Sequence, residues 1–302
     1  MSMSKCKVKS SPEATEMYNR IRGALYGFAI GDAMGATTEF LTAKQIAKRY
    51  GFVDEIVGGG VLNWKPGQVT DDTDMMLCVC KALMETGEVE YWPETAEDKT
   101  LAAHIATSQF AQRCVQNFIG WYHSGPIDIG GQCATAIKTL EHNRGTVMYY
   151  DRMAMGNGSL MRALPCALIG NRTMNVVQSV ITHNNKVCIR AVETYHNAIQ
   201  SVLSGNVPFE RGTECEHSGY VKSTLNNALR YANQAETFYE AIVNPVNAGG
   251  DADTIAALTG GLAGARFGYS KIPQRWAAKL DANVKQQLDE FAKFALIIRH
   301  TR

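Results

Sequence analysis

Two acidic clusters, far apart in the chain, each combine carboxylates with threonine: Thr70-Asp71-Asp72-Thr73-Asp74 and Asp251-Ala252-Asp253-Thr254. Bunched carboxylates repel one another unless protons or a cation offset the charge. Oxygen-only donor sets of this kind suit hard divalent ions such as Mg²⁺ or Mn²⁺. Both clusters sit in glycine-marked loops that run into apolar helical patterns. Asp and Thr are also ordinary helix caps, and first-turn carboxylates complement the helix dipole. Capping explains one such residue, whereas the first cluster has three aspartates in four positions. On the metal reading, the Thr70 hydroxyl and the carboxylates of Asp71 and Asp72 are the ligands. Asp74, one helix step on, either supports them or is exposed. In the second cluster Gly249 and Gly250 allow a tight backbone, and the alternating Asp251 and Asp253 can turn to one point. Capping stays open there too. An EF-hand does not fit, because the ligand ladder and distal glutamate are missing. Two half-sites that meet in the fold would hold a pair of metals.

Other segments carry weaker chemistry. Gly156-Asn157-Gly158-Ser159 is a turn that opens a helical stretch. Free N–H groups at such a turn favour an anion, usually phosphate, although a plain turn with a cap has the same pattern. His183 precedes another helix and is either a structural hydrogen-bonder or part of a site. Gly23, Gly27, Gly31 and Gly35 recur every four residues in a helical pattern. Each glycine costs a helix about 1 kcal/mol, so the stripe predicts close packing against another helix. Asp32 and Glu39 beside it are candidates to face a site.

The elements that must position these residues are helical. Apolar spacing predicts helices over about 16–35, from the first acidic cluster to Gly87, and over 101–123, 131–142, 159–169, 173–183, 186–204, 220–243, 254–267 and 283–299. Strand evidence is thin, and no linker divides the chain. The reading is one all-α domain over residues 16–302 after a disordered tail, 1–15, with a variable loop at 205–219. The 302 residues are 45% apolar, enough for a large core. A net charge of +1 gives no general attraction to nucleic acid or anionic membrane. No apolar run reaches the ~20 residues of a membrane span. Eight cysteines contain no Cys-x-x-Cys pair and read as buried thiols in a reducing, cytoplasmic setting. With no heptads, a monomer is expected.

The order of the motifs carries a resemblance. Gly31-Asp32-Ala33-Met34-Gly35 with Glu39 comes first, then Thr70-Asp71-Asp72-Thr73. Gly156-Asn157-Gly158-Ser159 with Met161-Arg162 follows, then Thr182-His183, then Gly250-Asp251-Ala252-Asp253-Thr254 and a Gly/Ala-rich helix. Over roughly residues 20–270 this series resembles the ADP-ribosylglycohydrolase family, the group of dinitrogenase reductase-activating glycohydrolase. The resemblance implies a compact orthogonal multi-helix fold with two metals, Mg²⁺ or Mn²⁺, in a central cleft. It also implies hydrolysis of the bond joining ADP-ribose to a modified target.

Carried onto this chain, the resemblance makes Thr70, Asp71 and Asp72 one metal half-site. Asp251, Asp253 and Thr254 become the other, with Asp253 a candidate bridge. Glu39 matches a glutamate implicated in catalysis or gating, and Asp128 an active-site aspartate. The next residues, Gly131-Gln132, depart from the Asn-Thr often seen there. Gly156, Asn157, Gly158 and Ser159 match a diphosphate loop, and His183 a residue lining the ADP-ribose cleft. The implied partner is an ADP-ribosylated protein or small ADP-ribose conjugate, with nucleic acid only as a modified substrate. The Gly-Asn-Gly-Ser form favours arginine as the linkage. A two-metal phosphoesterase or pyrophosphatase shares acidic clusters and a phosphate loop, but such enzymes often add metal-binding histidines. An ADP-ribose binder without turnover would be free to lose part of the two acidic sets, and both are complete.

Overall fold

The computed structural model describes residues 11–87, 107–143, 153–207 and 211–301. Among these, the chain forms α1 (Pro12–Gly35), α2 (Ala43–Tyr50), α3 (Asp71–Thr86), α4 (Gln109–His123), α5 (Gly131–His142), α6 (Leu164–Leu168) and α7 (Arg172–Val180). It continues with α8 (Lys186–Leu203), α9 (Val221–Gln234), α10 (Phe238–Ala248), α11 (Ala252–Phe267), a 3₁₀ turn (Tyr269–Lys271), α12 (Gln274–Lys279) and α13 (Ala282–His300). Isolated bridges, such as Thr42 with Gly249 and Gly156 with Tyr220, are the only extended pairings among the described residues. The all-α reading holds.

The glycine stripe sets the centre of the fold. A Cβ on Gly23, Gly27 or Gly31 would overlap the carbonyl oxygens of Gly264, Gly260 and Ala256 respectively. A Cβ on Gly35 would lie 2.5 Å from Asp253 Cα. Residue numbers rise on α1 as they fall on α11, so the two helices run antiparallel with their backbones in contact. Every residue from Ala252 to Ala265 is buried, as expected of a helix that is apolar all round. The absent side chains have a consequence for the site: the end of α1, which leads to Glu39, is seated on the start of α11, which carries Asp253.

The boundaries differ from the sequence reading in several places. α1 begins at Pro12, where Ser11 accepts a hydrogen bond from Ala14 N at 3.1 Å, so residues 12–15 are helical. The rest of the expected tail, 1–10, lies outside the described residues, as do 101–106 of the expected 101–123 helix. Residues 159–162 form turns, and the α-helix starts only at Leu164, with Pro165 in its first turn where a missing N–H costs nothing. The 220–243 pattern is broken at Ala235, which is extended, and Thr237 caps a new helix by accepting from Glu240 N at 3.2 Å. The sequence reading also passed over α2, although Thr42 and Gln45 form a capping box there.

Candidate active site

Asp32 is the first device that assembles the site. It is fully buried on α1 and accepts hydrogen bonds from Thr70 N at 3.1 Å, Thr73 N at 3.1 Å and Thr73 Oγ1 at 2.5 Å. This ties the start of α3 to the central helix pair. Thr70 caps α3: its hydroxyl accepts from Asp72 N and donates to Asp72 Oδ2, both at 3.2 Å. Capping and site-building are thus done by the same residue.

The second cluster meets the first. Thr254 Oγ1 lies 3.3 Å from Asp72 Oδ2 and 3.3 Å from Asp251 Oδ1. Asp251 Oδ2 accepts from Asn157 Nδ2 at 2.7 Å, which joins the glycine turn to the same cluster. Asp71 Oδ2 accepts from Gly130 N at 3.2 Å and draws in the segment carrying Asp128. Six carboxylates therefore line one cleft of about 300 Å³: Glu39, Asp71, Asp72, Asp128, Asp251 and Asp253. Among the described residues, neither lysine nor arginine lines it. Asp74 is turned elsewhere and accepts from Trp121 Nε1 at 3.1 Å.

Packing six acids together displaces their proton equilibria. Burial, and then the charges of Asp128, Asp251 and Asp71, push the Glu39 carboxyl up to about 9. Burial followed by Asp128 pushes Asp71 to about 7. Burial raises Asp251 to about 6 against the pull of its Thr254, Thr224 and Asn157 hydrogen bonds. Asp72 and Asp253 lie well above the usual carboxylate range, again through burial and then neighbouring carboxylates. Glu39 Oε2, Asp72 Oδ1 and Asp253 Oδ1 are buried without any hydrogen-bond partner. Leaving such oxygens unpaired costs about 1–3 kcal/mol each, and more when charged. Oxygens of Glu39, Asp128 and Asp253 also come within 4.8 Å of one another, a spacing that one ion can span. These donors fit hard divalent cations in number and chemistry. The trio places Glu39 and Asp128 beside Asp253, where the sequence reading kept catalytic and metal roles apart.

The glycine turn has one wall in the cleft and one in the core. Gly156, Asn157 and Gly158 line the cleft with His183. A Cβ on Gly158 would lie 2.7 Å from Cys133 Sγ and 2.9 Å from His183 Cε1, so a side chain here would push both residues out of place. Ser159 departs from its expected place. It is fully buried, and its hydroxyl accepts from Ser179 Oγ at 2.9 Å behind the turn. Its carbonyl accepts from Gln178 Nε2 at 3.0 Å on the same side.

Three contributors were not assigned from sequence. Arg162 is completely buried and has no carboxylate partner; it donates to Gly158 O at 2.9 Å, Gln178 O at 2.8 Å and Thr182 Oγ1 at 2.6 Å. Thr182 Oγ1 in turn meets His183 Nδ1 at 2.8 Å. Burial and the Arg162 charge hold His183 down at about 3, so it is neutral at pH 7. The 205–219 segment also does more than connect. His217 O accepts from Asp251 N at 3.1 Å, and His217 Nδ1 is 3.0 Å from Gly249 O. Residues 208–210 lie outside the described part of this segment. Phe40, directly after Glu39, also lines the cleft. The Gly-Asn-Gly-Ser-Leu-Met-Arg run was the available signal for Arg162; nothing in composition marked His217.

The fold and the cleft define an all-helical protein whose acidic site is built at helix starts. The family model described as ADP-ribosylglycohydrolase matches residues 13–213 and 191–302. The chain is 33% identical to the ADP-ribosyl-[dinitrogen reductase] glycohydrolase of Rhodospirillum rubrum, over 90% of this chain and 94% of that one. It is 29% identical to an ADP-ribosylarginine hydrolase of Pseudomonas putida, over 87% and 74% of the two chains. A solved ADP-ribosylglycohydrolase-related protein complex superposes with a TM-score of 0.73 at 25% identity, covering 95% of this chain and 99% of that chain. The chain belongs to the ADP-ribosylglycohydrolase family. No helix among the described residues is long and apolar enough to cross a membrane.

Proposed function

We propose that this protein is a divalent-metal-dependent hydrolase that releases ADP-ribose from arginine on a modified protein. The observation that carries the metal dependence is the 3.3 Å contact of Thr254 Oγ1 with Asp72 Oδ2, surrounded by three buried carboxylate oxygens that lack partners. Thr70, Asp71 and Asp72 would hold one Mg²⁺ or Mn²⁺, and Asp251, Asp253 and Thr254 the other. Bound ions would supply positive charge and Lewis acidity where the carboxylates converge. The arginine linkage is supported by the printed activity of the Pseudomonas relative. A monomer in a reducing, cytoplasmic compartment completes the reading, in keeping with seven free thiols among the described residues.

The chain's own groups divide the remaining work. The 156–158 turn binds the diphosphate, with Gly156 and Gly158 letting the backbone approach it. Neutral His183 offers Nε2 to the same ligand without adding charge. In hydrolysis, water adds to the ribose anomeric carbon as the bond to the guanidine nitrogen breaks. The bonding pair leaves with nitrogen, and positive charge builds on the sugar. Burial and neighbouring charges hold the Glu39 carboxyl up, and cations bound at the cluster would offset those charges. Glu39, whose Oε2 has no other partner, is then ionised, accepts the water's proton and passes it to the leaving nitrogen. Asp128 supports the sugar's positive charge from the adjoining segment.

A panel of arginine-, serine-, nucleic-acid- and O-acyl-linked ADP-ribose, supplied with Mg²⁺ and Mn²⁺ in parallel, tests this reading. The expected result is free ADP-ribose from the arginine conjugate, abolished by a chelator. Release of AMP would point to a phosphoesterase. Tight ADP-ribose binding with no turnover of any conjugate would make the protein a binder.

A further inference from the structure

Phe40 combines three features that core packing does not explain. Its φ is +62°, in the left-handed region that bulky residues avoid. Its side chain is 61% exposed. It lines the cleft immediately after Glu39. The backbone is held in this conformation from outside: Phe40 N donates to Gly250 O at 2.8 Å, and Gly250 N donates to Leu41 O at 2.8 Å. Glycine or asparagine would occupy the position with less strain. Here the fold clamps an aromatic residue in an unfavourable conformation and leaves it in water. Strain maintained at a site edge in this way points to use by a ligand.

We infer that Phe40 is the specificity-determining platform for the departing arginine side chain. The inference rests on the reading under Proposed function. With the diphosphate on the glycine turn and the anomeric carbon against the carboxylates, the leaving group exits beside the residues that follow and precede those acids. These are Phe40, next to Glu39, and Ile127, next to Asp128, and Ile127 is 58% exposed. A guanidinium is planar and weakly hydrated, and it stacks on aromatic faces. A serine hydroxyl gains nothing comparable from a ring. Phe40 thereby separates cationic, planar leaving groups from small neutral ones at a position the acidic cluster alone could not discriminate.

The test compares wild type, Phe40→Leu and Phe40→Trp. It reads KM and kcat for the arginine conjugate and the inhibition constant of free ADP-ribose, which has no leaving group. Phe40→Leu should raise KM for the arginine conjugate about 5- to 30-fold, the range of a cation–π contact of about 1–2 kcal/mol. The ADP-ribose constant should move less than about twofold, and Phe40→Trp should restore KM. Equal shifts in KM and in the ADP-ribose constant, or failure of Phe40→Trp to restore KM, would overturn the inference and leave the proposed activity standing. Wild-type protein with no turnover of the arginine conjugate would overturn the arginine assignment itself, and this inference with it.

Discussion

Replacing Gly31 by alanine tests the idea that bare helix backbones place the two acidic half-sites. A Cβ there would lie 2.8 Å from Ala257 N and closer still to the Ala256 carbonyl, where ordinary contact begins at 3.4 Å. The obstacle is backbone on a fully buried helix, which cannot rotate aside. Overpacking of this kind costs about 1–3 kcal/mol. Alanine's better helix propensity returns about 0.5–1 kcal/mol. The net expectation is a loss of about 1–2 kcal/mol in urea denaturation, or roughly 2–3 °C in melting temperature for a chain of this size. Gly120 in α4 is the control, because a Cβ there meets nothing within 4 Å. Gly120→Ala should leave stability unchanged or raise it by up to about 1 kcal/mol. Gly31→Ala with wild-type stability would show that the α1–α11 contact does not depend on the stripe.

Other perturbations read individual groups. In chelator, the carboxyls of Glu39 and Asp71, held near 9 and 7, exceed their unfolded values of about 4. The folded state therefore retains protons that the unfolded chain has released, and metal-free stability should fall as pH rises from about 5 to 9. Mn²⁺ should raise the melting temperature more at pH 8 than at pH 6 in a thermal-shift assay; a flat chelator profile would contradict the acid clustering. Asp32→Asn would place an amide among three donors, Thr70 N, Thr73 N and Thr73 Oγ1. It should cost about 1–3 kcal/mol in denaturation and weaken Mn²⁺ uptake. Asp74→Asn, whose contact is Trp121, should leave Mn²⁺ uptake at the wild-type level by calorimetry. Gly158→Ala should weaken ADP-ribose binding by displacing His183 and Cys133, with Mn²⁺ binding retained.

What could be read in the sequence was what local rules determine. The acidic clusters at helix starts, the helical periodicities and the glycine stripe each follow from short-range pattern, and all three appear in the fold. The order of the motifs supplied the family. Less legible were features set by tertiary contact. Thr70 gave a cap signal and a ligand signal at once, and only its position between Asp32 and Asp72 shows that the cap forms against the second of these acids. Ser159 belonged to a phosphate-loop pattern, but its hydroxyl pairs with Ser179 in the core. Helix 220–243 looked continuous because apolar spacing persists across Ala235, where the backbone turns extended. The bracing by His217 depends on a backbone carbonyl, which no side-chain pattern encodes.

Mn²⁺ binding to chelator-stripped protein, followed by the resonance signal of the unbound ion, tests the convergence of the half-sites most directly. Wild type should take up two ions per chain, and Asp253→Asn should lose at least one while keeping its helical content. Wild-type protein that binds no Mn²⁺, or an Asp253→Asn isotherm that overlays wild type, would contradict the account.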